Sequence, residues 1–89
     1  MDLKECREKI DRINDDMLRL FCERMEVCRS VAEYKQANGL PILNAEREQK
    51  ILDEMTALAG DDLKDYVREL FKFLMDQSKD YQSNTLKSK

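Results

Sequence analysis

The sequence predicts an all-α fold of three helices per chain, the first of them long, assembled as an intertwined six-helix homodimer. Three observations carry that prediction. Its two glycines and one proline, Gly39, Pro41 and Gly60, divide the 89 residues into three stretches. Within each stretch apolar residues recur at steps of three and four, the period of one helix face. The first stretch is also longer than a small domain is wide, so one chain cannot cover it.

In that first stretch Leu3, Cys6, Ile10, Ile13, Met17 and Leu20 form the stripe, and Leu18, Phe21, Met25, Val27, Cys28, Val31 and Ala32 widen it. The helix is expected to run to about Asn38. At ~1.5 Å per residue it spans more than ~50 Å, against a width of ~30 Å for a small globular domain. A bare apolar stripe of that length is an aggregation surface unless a second copy packs along it, hence the homodimer.

The second helix starts with Asn44 as N-cap and Glu46 in its positive first turn, and ends before Gly60. Ile51, Leu52, Met55 and Leu58 form its inner face. The third helix is capped by Asp61 or Asp62 and buries Leu63, Val67, Leu70, Phe71 and Leu74 before its stripe continues through Ser78 and Gln82. After about Asn84 the tail TLKSK has no periodic pattern and reads as frayed or as a linker. Residues 1–89 form a single domain.

Composition limits the functions available. With 42% hydrophobic and 39% charged residues, the chain is one small, soluble, charge-rich domain. A net charge of -3 and a pI near 5.0, with both signs interspersed, leave no basic face to track a phosphate backbone, so no nucleic-acid partner is expected. No stretch approaches the ~18 apolar residues of a membrane span, and MDLKECREKI lacks the apolar core of a secretory signal. A cytoplasmic protein is expected. Cys6, Cys22 and Cys28 are odd in number and form no C-x-x-C pair, which favours small buried apolar residues over a disulfide framework. The absence of histidine argues against zinc, and no metal or cofactor is expected.

Each helix nevertheless carries polar residues on its buried stripe: Arg24 and Lys35, then Arg47 and Glu48, then Ser78 and Gln82. On a helical wheel Arg24 lies within roughly 20° of Met17 and Val31, and Lys35 follows nearly the same line. For any one residue, a buried ion pair that sets dimer register is the simpler reading. Together, three or four cations facing one carboxylate leave uncompensated positive charge in a low-dielectric space, at a cost of several kcal/mol per ion. A bound anion resolves the imbalance. Because arginine forks match carboxylates bidentately, the implied ligand is a small molecule with more than one carboxylate.

Such a pocket has no histidine to shuttle protons, no Ser/His/Asp set, no Cys/His pair and no glycine-rich phosphate loop. A reaction that needs only its substrate folded and its developing charge stabilised suits a rigid cation-lined cavity. A pericyclic rearrangement is one.

REKIDRINDDMLRLFCERMEV, Lys35, NAERE at 44 to 48 and S-x-x-x-Q at 78 to 82 together resemble the all-helical chorismate mutase family over nearly the whole chain. The resemblance implies conversion of chorismate to prephenate by a Claisen rearrangement on the route to phenylalanine and tyrosine. It also implies roles. Arg24 and Arg47 hold substrate carboxylate and polar groups, and Arg7 reaches into the other protomer's pocket. Lys35 and Gln82 donate to the ether oxygen as it gains charge, with Arg24 grouped beside them as catalytic. Glu48 accepts the ring hydroxyl, and Ser78 contacts a carboxylate. Independently, Arg7 sits about 100° around the wheel from Arg24, on the flank where it can serve a neighbouring chain. Asn44 stands where the family pattern calls for aspartate. Asparagine caps a helix equally well, so a contact made by backbone N–H groups there survives the exchange.

Two other readings remain open. One is a lyase of the same fold that removes pyruvate from isochorismate. The other is a non-catalytic helical dimerisation module whose buried charges only set register. Neither the short loops nor the tail separates a free-standing enzyme from one domain of a bifunctional protein.

Overall fold

A computed structural model of the protein describes residues 1–87. It contains α1 (Leu3–Ala37), α2 (Ala45–Ala59) and α3 (Lys64–Lys87), with no strand among the described residues. The all-α, three-helix expectation holds, and the breaks fall at the two glycines.

Each boundary has a local cause. Asp2 caps α1 by accepting the Glu5 N–H at 2.8 Å, with Glu5 itself in the positive first turn. At the other end Gly39 takes a left-handed φ of 67°, which lets the Leu40 N–H return to the Lys35 carbonyl at 2.8 Å and the Gly39 N–H to that of Gln36 at 3.4 Å. This is the paired closure of a Schellman turn, and it ends α1 with Asn38 as C-cap. Asn44 caps α2 as expected, its Oδ1 accepting the Arg47 N–H at 3.0 Å. Gly60, at φ 82°, ends that helix.

Two boundaries differ from expectation. Neither Asp61 nor Asp62 caps α3, which begins beyond both, at Lys64. The Gly60 carbonyl accepts from Leu63 and Lys64 at 3.4 and 3.0 Å, so the chain turns through 61–63 before the first regular helical bond, Val67 N–H to Leu63. The far end of α3 also runs past Asn84 to Lys87. Leu86 lies one turn beyond Gln82 on the same face and is half-buried, so the stripe extends further than the tail suggested. Ser88 and Lys89, the remainder of that expected tail, lie outside the described residues.

α3 packs on both α1 and α2, whereas α1 and α2 do not pack on one another. The resulting slab measures 53 × 28 × 14 Å, its long axis set by α1. Only Ala32, Met75, Ser78 and Gln82 are buried among the described residues. Ala32 lies in the C-terminal half of α1, and Met75, Ser78 and Gln82 run from the middle of α3 toward its C-terminus. Toward the other end the apolar stripe stays open, with Ile10, Ile13, Met17 and Leu20 each more than half exposed. An apolar trough of about 550 Å³ opens there, between Met17, Leu20 and Phe21 on α1 and Leu70, Phe73 and Leu74 on α3. No helix among the described residues is long and apolar enough to cross a membrane.

Candidate functional site

The buried end of the slab forms a half-open cavity of about 220 Å³ that draws on all three helices. From α1, Arg24, Cys28, Val31 and Lys35 face it, spaced four, three and four residues apart along one helix face. The α1–α2 connection supplies Ile42 and Asn44, and the first turns of α2 supply Arg47, Glu48 and Ile51. From α3 come Met75, Ser78, Lys79 and Gln82. Seven of the eight residues singled out in the sequence therefore meet at one site.

The eighth, Arg7, does not join them. It is exposed on the second turn of α1, seventeen residues before Arg24, or ~25 Å along the axis. Its side chain cannot reach the cavity of its own chain.

Among the described residues no ion pair engages Arg24, Lys35 or Arg47. Arg24 Nη1 has only a weak partner, the Cys28 thiol at 3.8 Å. Lys35 Nζ donates to the Ile42 carbonyl at 2.8 Å, which fixes the ammonium against the connection and leaves two of its three N–H groups for a ligand. Glu48 is paired, but with Lys79, whose Nζ lies 3.2 Å from Oε1 and 3.1 Å from Oε2. Lys79 also lies 3.4 Å from Asp76. Chiefly because it donates to Glu48, Lys79 holds its proton above the ordinary lysine value; burial opposes this, and the charges of Glu48 and Asp76 reinforce it. Four cations thus line the cavity with one carboxylate, a net charge of +3.

Gln82 donates from Nε2 to Ser78 Oγ at 3.0 Å, and its Oε1 is buried with no hydrogen-bond partner among the described residues. A buried unsatisfied acceptor costs about 1–3 kcal/mol. An anionic occupant of the cavity offsets the charge imbalance.

Sequence reasoning missed two contributors. Lys79 lies on the flank of the α3 stripe, four residues after Met75 and three before Gln82, where a lone lysine reads as a solvated side chain; that spacing was the available signal. The Ile42 carbonyl that holds Lys35 is a backbone group and leaves no trace in side-chain patterning.

An all-helical chain whose three helices converge on a cation-lined cavity defines a class of protein with the charge and hydrogen-bond donors to take a small polyanion. Within that class, the chain belongs to the chorismate mutase type II family, whose model matches residues 6–83. It is 35% identical to the chorismate mutase of Methanocaldococcus jannaschii over 86 residues, which covers 94% of this chain and 87% of that protein. It is 40% identical to the bifunctional chorismate mutase/prephenate dehydratase of Aquifex aeolicus over 57 residues, covering 64% of this chain but only 16% of that one. A chorismate mutase structure (form II) from Thermus thermophilus superposes with a TM-score of 0.86 at 29% identity, covering 91% of this chain and 93% of the other.

Proposed function

We propose that this chain is a chorismate mutase, an isomerase that converts chorismate to prephenate. The observation that carries the reading is the set of three cations, Arg24, Lys35 and Arg47, turned into one small cavity without carboxylate partners among the described residues. Chorismate is a dicarboxylate whose rearrangement breaks one carbon–oxygen bond and forms one carbon–carbon bond within the same molecule. No proton leaves, no covalent intermediate forms, and substrate and product have the same atoms.

The side chains then divide the work. Arg24 and Arg47 take the carboxylates and neighbouring polar groups, which folds the substrate into its reactive shape. Lys35 and the free N–H of Gln82 face the ether oxygen. Negative charge grows there as its bond to the ring lengthens, so both bonds strengthen toward the transition state. Lys35 is preorganised for this by Ile42, and Gln82 by Ser78. Ser78 keeps its own hydroxyl hydrogen for a substrate carboxylate. Glu48 accepts the ring hydroxyl, and Asn44 contributes through the helix terminus it caps.

The active unit is a homodimer in which Arg7 completes the partner's cavity. The open apolar stripe of α1, the adjoining trough and the ~25 Å between Arg7 and Arg24 all support this. Three free thiols fit a reducing compartment, and we place the protein in the cytoplasm.

The test is to supply chorismate and isochorismate separately and identify any product by NMR. Prephenate from chorismate is expected. Pyruvate with salicylate from isochorismate selects the lyase instead, and no turnover of either selects a dimerisation module.

A further inference from the structure

Glu48 presents the cavity with a problem of its own chemistry. Its carboxylate shares the wall with Arg24, Lys35 and Arg47, and it is the one carboxylate among the lining residues. An arginine fork closes bidentately on such a group as readily as on a ligand's carboxylate. If Glu48 turned to Arg24 or Arg47, the site would carry an internal competitor for its own substrate. That pairing is absent. Glu48 instead has both oxygens on Lys79, at 3.2 and 3.1 Å, across the α2–α3 interface.

The pair differs from every other ion pair among the described residues. The others join residues three or four apart, and each has at least one partner well exposed to solvent. Lys79 and Glu48 are 30% and 26% exposed, so water screens them less. Asp76, one turn before Lys79, also lies 3.4 Å from the ammonium. A carboxylate has about four acceptor positions, so Lys79 leaves Glu48 free to accept a hydroxyl as well.

We propose that Lys79 is a positioning residue that holds Glu48 away from Arg24 and Arg47, so that both guanidinium groups stay free for substrate carboxylates. The inference rests on the function proposed above. Lys79 acts through Glu48 and makes no bond to substrate. Its proton is held more tightly than that of an ordinary lysine, chiefly by donation to Glu48, so it is charged at neutral pH.

The experiment compares steady-state kinetics with chorismate for the parent, Lys79→Gln and Lys79→Arg. The neutral variant releases Glu48 to the arginines, so KM rises about tenfold or more while kcat changes little. Lys79→Arg restores a KM near the parent's, since a second cation at that position recaptures the carboxylate. A lower unfolding midpoint or lower kcat with KM unmoved marks a purely structural staple and overturns the proposal. If Lys79→Gln does not fold, the double variant Glu48→Gln/Lys79→Gln decides, because it strands no charge. Its KM must equal that of Glu48→Gln alone, and a further tenfold rise means that Lys79 meets substrate directly, which also overturns the proposal. Absence of prephenate from the parent would instead sink the proposed function itself.

Discussion

On α3, the Gln82 amide donates to the Ser78 hydroxyl over 3.0 Å, while the carbonyl oxygen of that same amide lies buried without a partner among the described residues. Residues four apart share a helix face, so the bond is a direct product of the S-x-x-x-Q spacing. An amide has two N–H donors. Ser78 takes one and orients the other, and the hydroxyl keeps its own hydrogen to give.

Ser78→Ala removes that anchor, and with it the hydroxyl assigned to a substrate carboxylate, while leaving both Gln82 donors in place. We expect kcat/KM to fall about tenfold or more, the combined loss of the anchor and that contact, while Gln82→Ala loses about a hundredfold or more because the proposed transition-state donor itself is gone. Steady-state rates on folded variants check the order. Equal losses, or no loss at Ser78, would remove the anchoring role.

Arg24 and Lys35 share an expected role but differ in their surroundings, so their alanine variants should separate stability from activity. Both are expected to lose orders of magnitude in kcat/KM. Arg24 has only a thiol at 3.8 Å, and Arg24→Ala should leave the urea midpoint unchanged or higher, since a poorly compensated charge has gone. Lys35 holds the Ile42 carbonyl at 2.8 Å, and Lys35→Ala should lower stability by about 1 kcal/mol as the connection loses a charged donor. Loss of helicity in step with activity in both would favour a role in dimer register alone.

The proposed dimer, in which a second copy covers the exposed stripe of α1, makes folding and association one process. The thermal midpoint should rise with protein concentration, and a folded, active monomer at high dilution would defeat the dimer. Mixing equal amounts of Arg7→Ala and Lys35→Ala chains tests the shared site. Random exchange makes about half the molecules heterodimers, each with one intact pocket of two, so about a quarter of parental activity should return. No recovery after confirmed exchange would place Arg7 outside the partner's site.

How legible the molecule was depended on whether one helix period could report the answer. Arg24, Lys35, Arg47 and Glu48 were visible because charge on an apolar stripe breaks a pattern, and Gly39 and Gly60 because positive φ favours glycine. The start of α3 was not visible: its two aspartates fit a cap by composition, but the Gly60 carbonyl takes the first turn's N–H groups instead. Lys79 and the Ile42 carbonyl act across elements. Their roles depend on distances between helices and connections, which no intrahelical period encodes.

Lys79 also sets an alkaline limit on stability. Its proton is held above the ordinary 10.5, chiefly by donation to Glu48, so the folded form binds that proton more tightly than the unfolded chain does. A raised pKa of this kind stabilises fully below the unfolded value and is lost as pH rises through the folded one. The pair is part-exposed, and its worth is under about 1 kcal/mol. The midpoint of the parent should exceed that of Lys79→Gln from neutral pH to about pH 10, and the gap should close above about pH 10.5. A gap that persists undiminished beyond that would show that packing, and not the ion pair, accounts for it.

Gln82 supports the sharpest test of how charge on the ether oxygen is stabilised. A neutral amide donates at any ordinary pH, so no titrating group is required at that position, and parental activity should vary little between about pH 5 and 8. Gln82→Glu replaces the donor with a group that donates only when protonated. Its ionised form places an acceptor-only carboxylate opposite an oxygen that is itself becoming negative. The site is deeply buried and lies one turn from Ser78, so desolvation favours the protonated acid, while Arg24, Lys35, Arg47 and Lys79 on the same cavity favour the ionised one. Whichever prevails, the variant should work best in acid and lose rate with the dependence of a single proton as pH rises through the introduced group's titration. Rates of prephenate formation across that range, with dimer and helicity verified at each pH, give the profile. A flat profile at parental activity in Gln82→Glu would mean that the ether oxygen takes its hydrogen bond from elsewhere, leaving Lys35 as the donor to be tested alone.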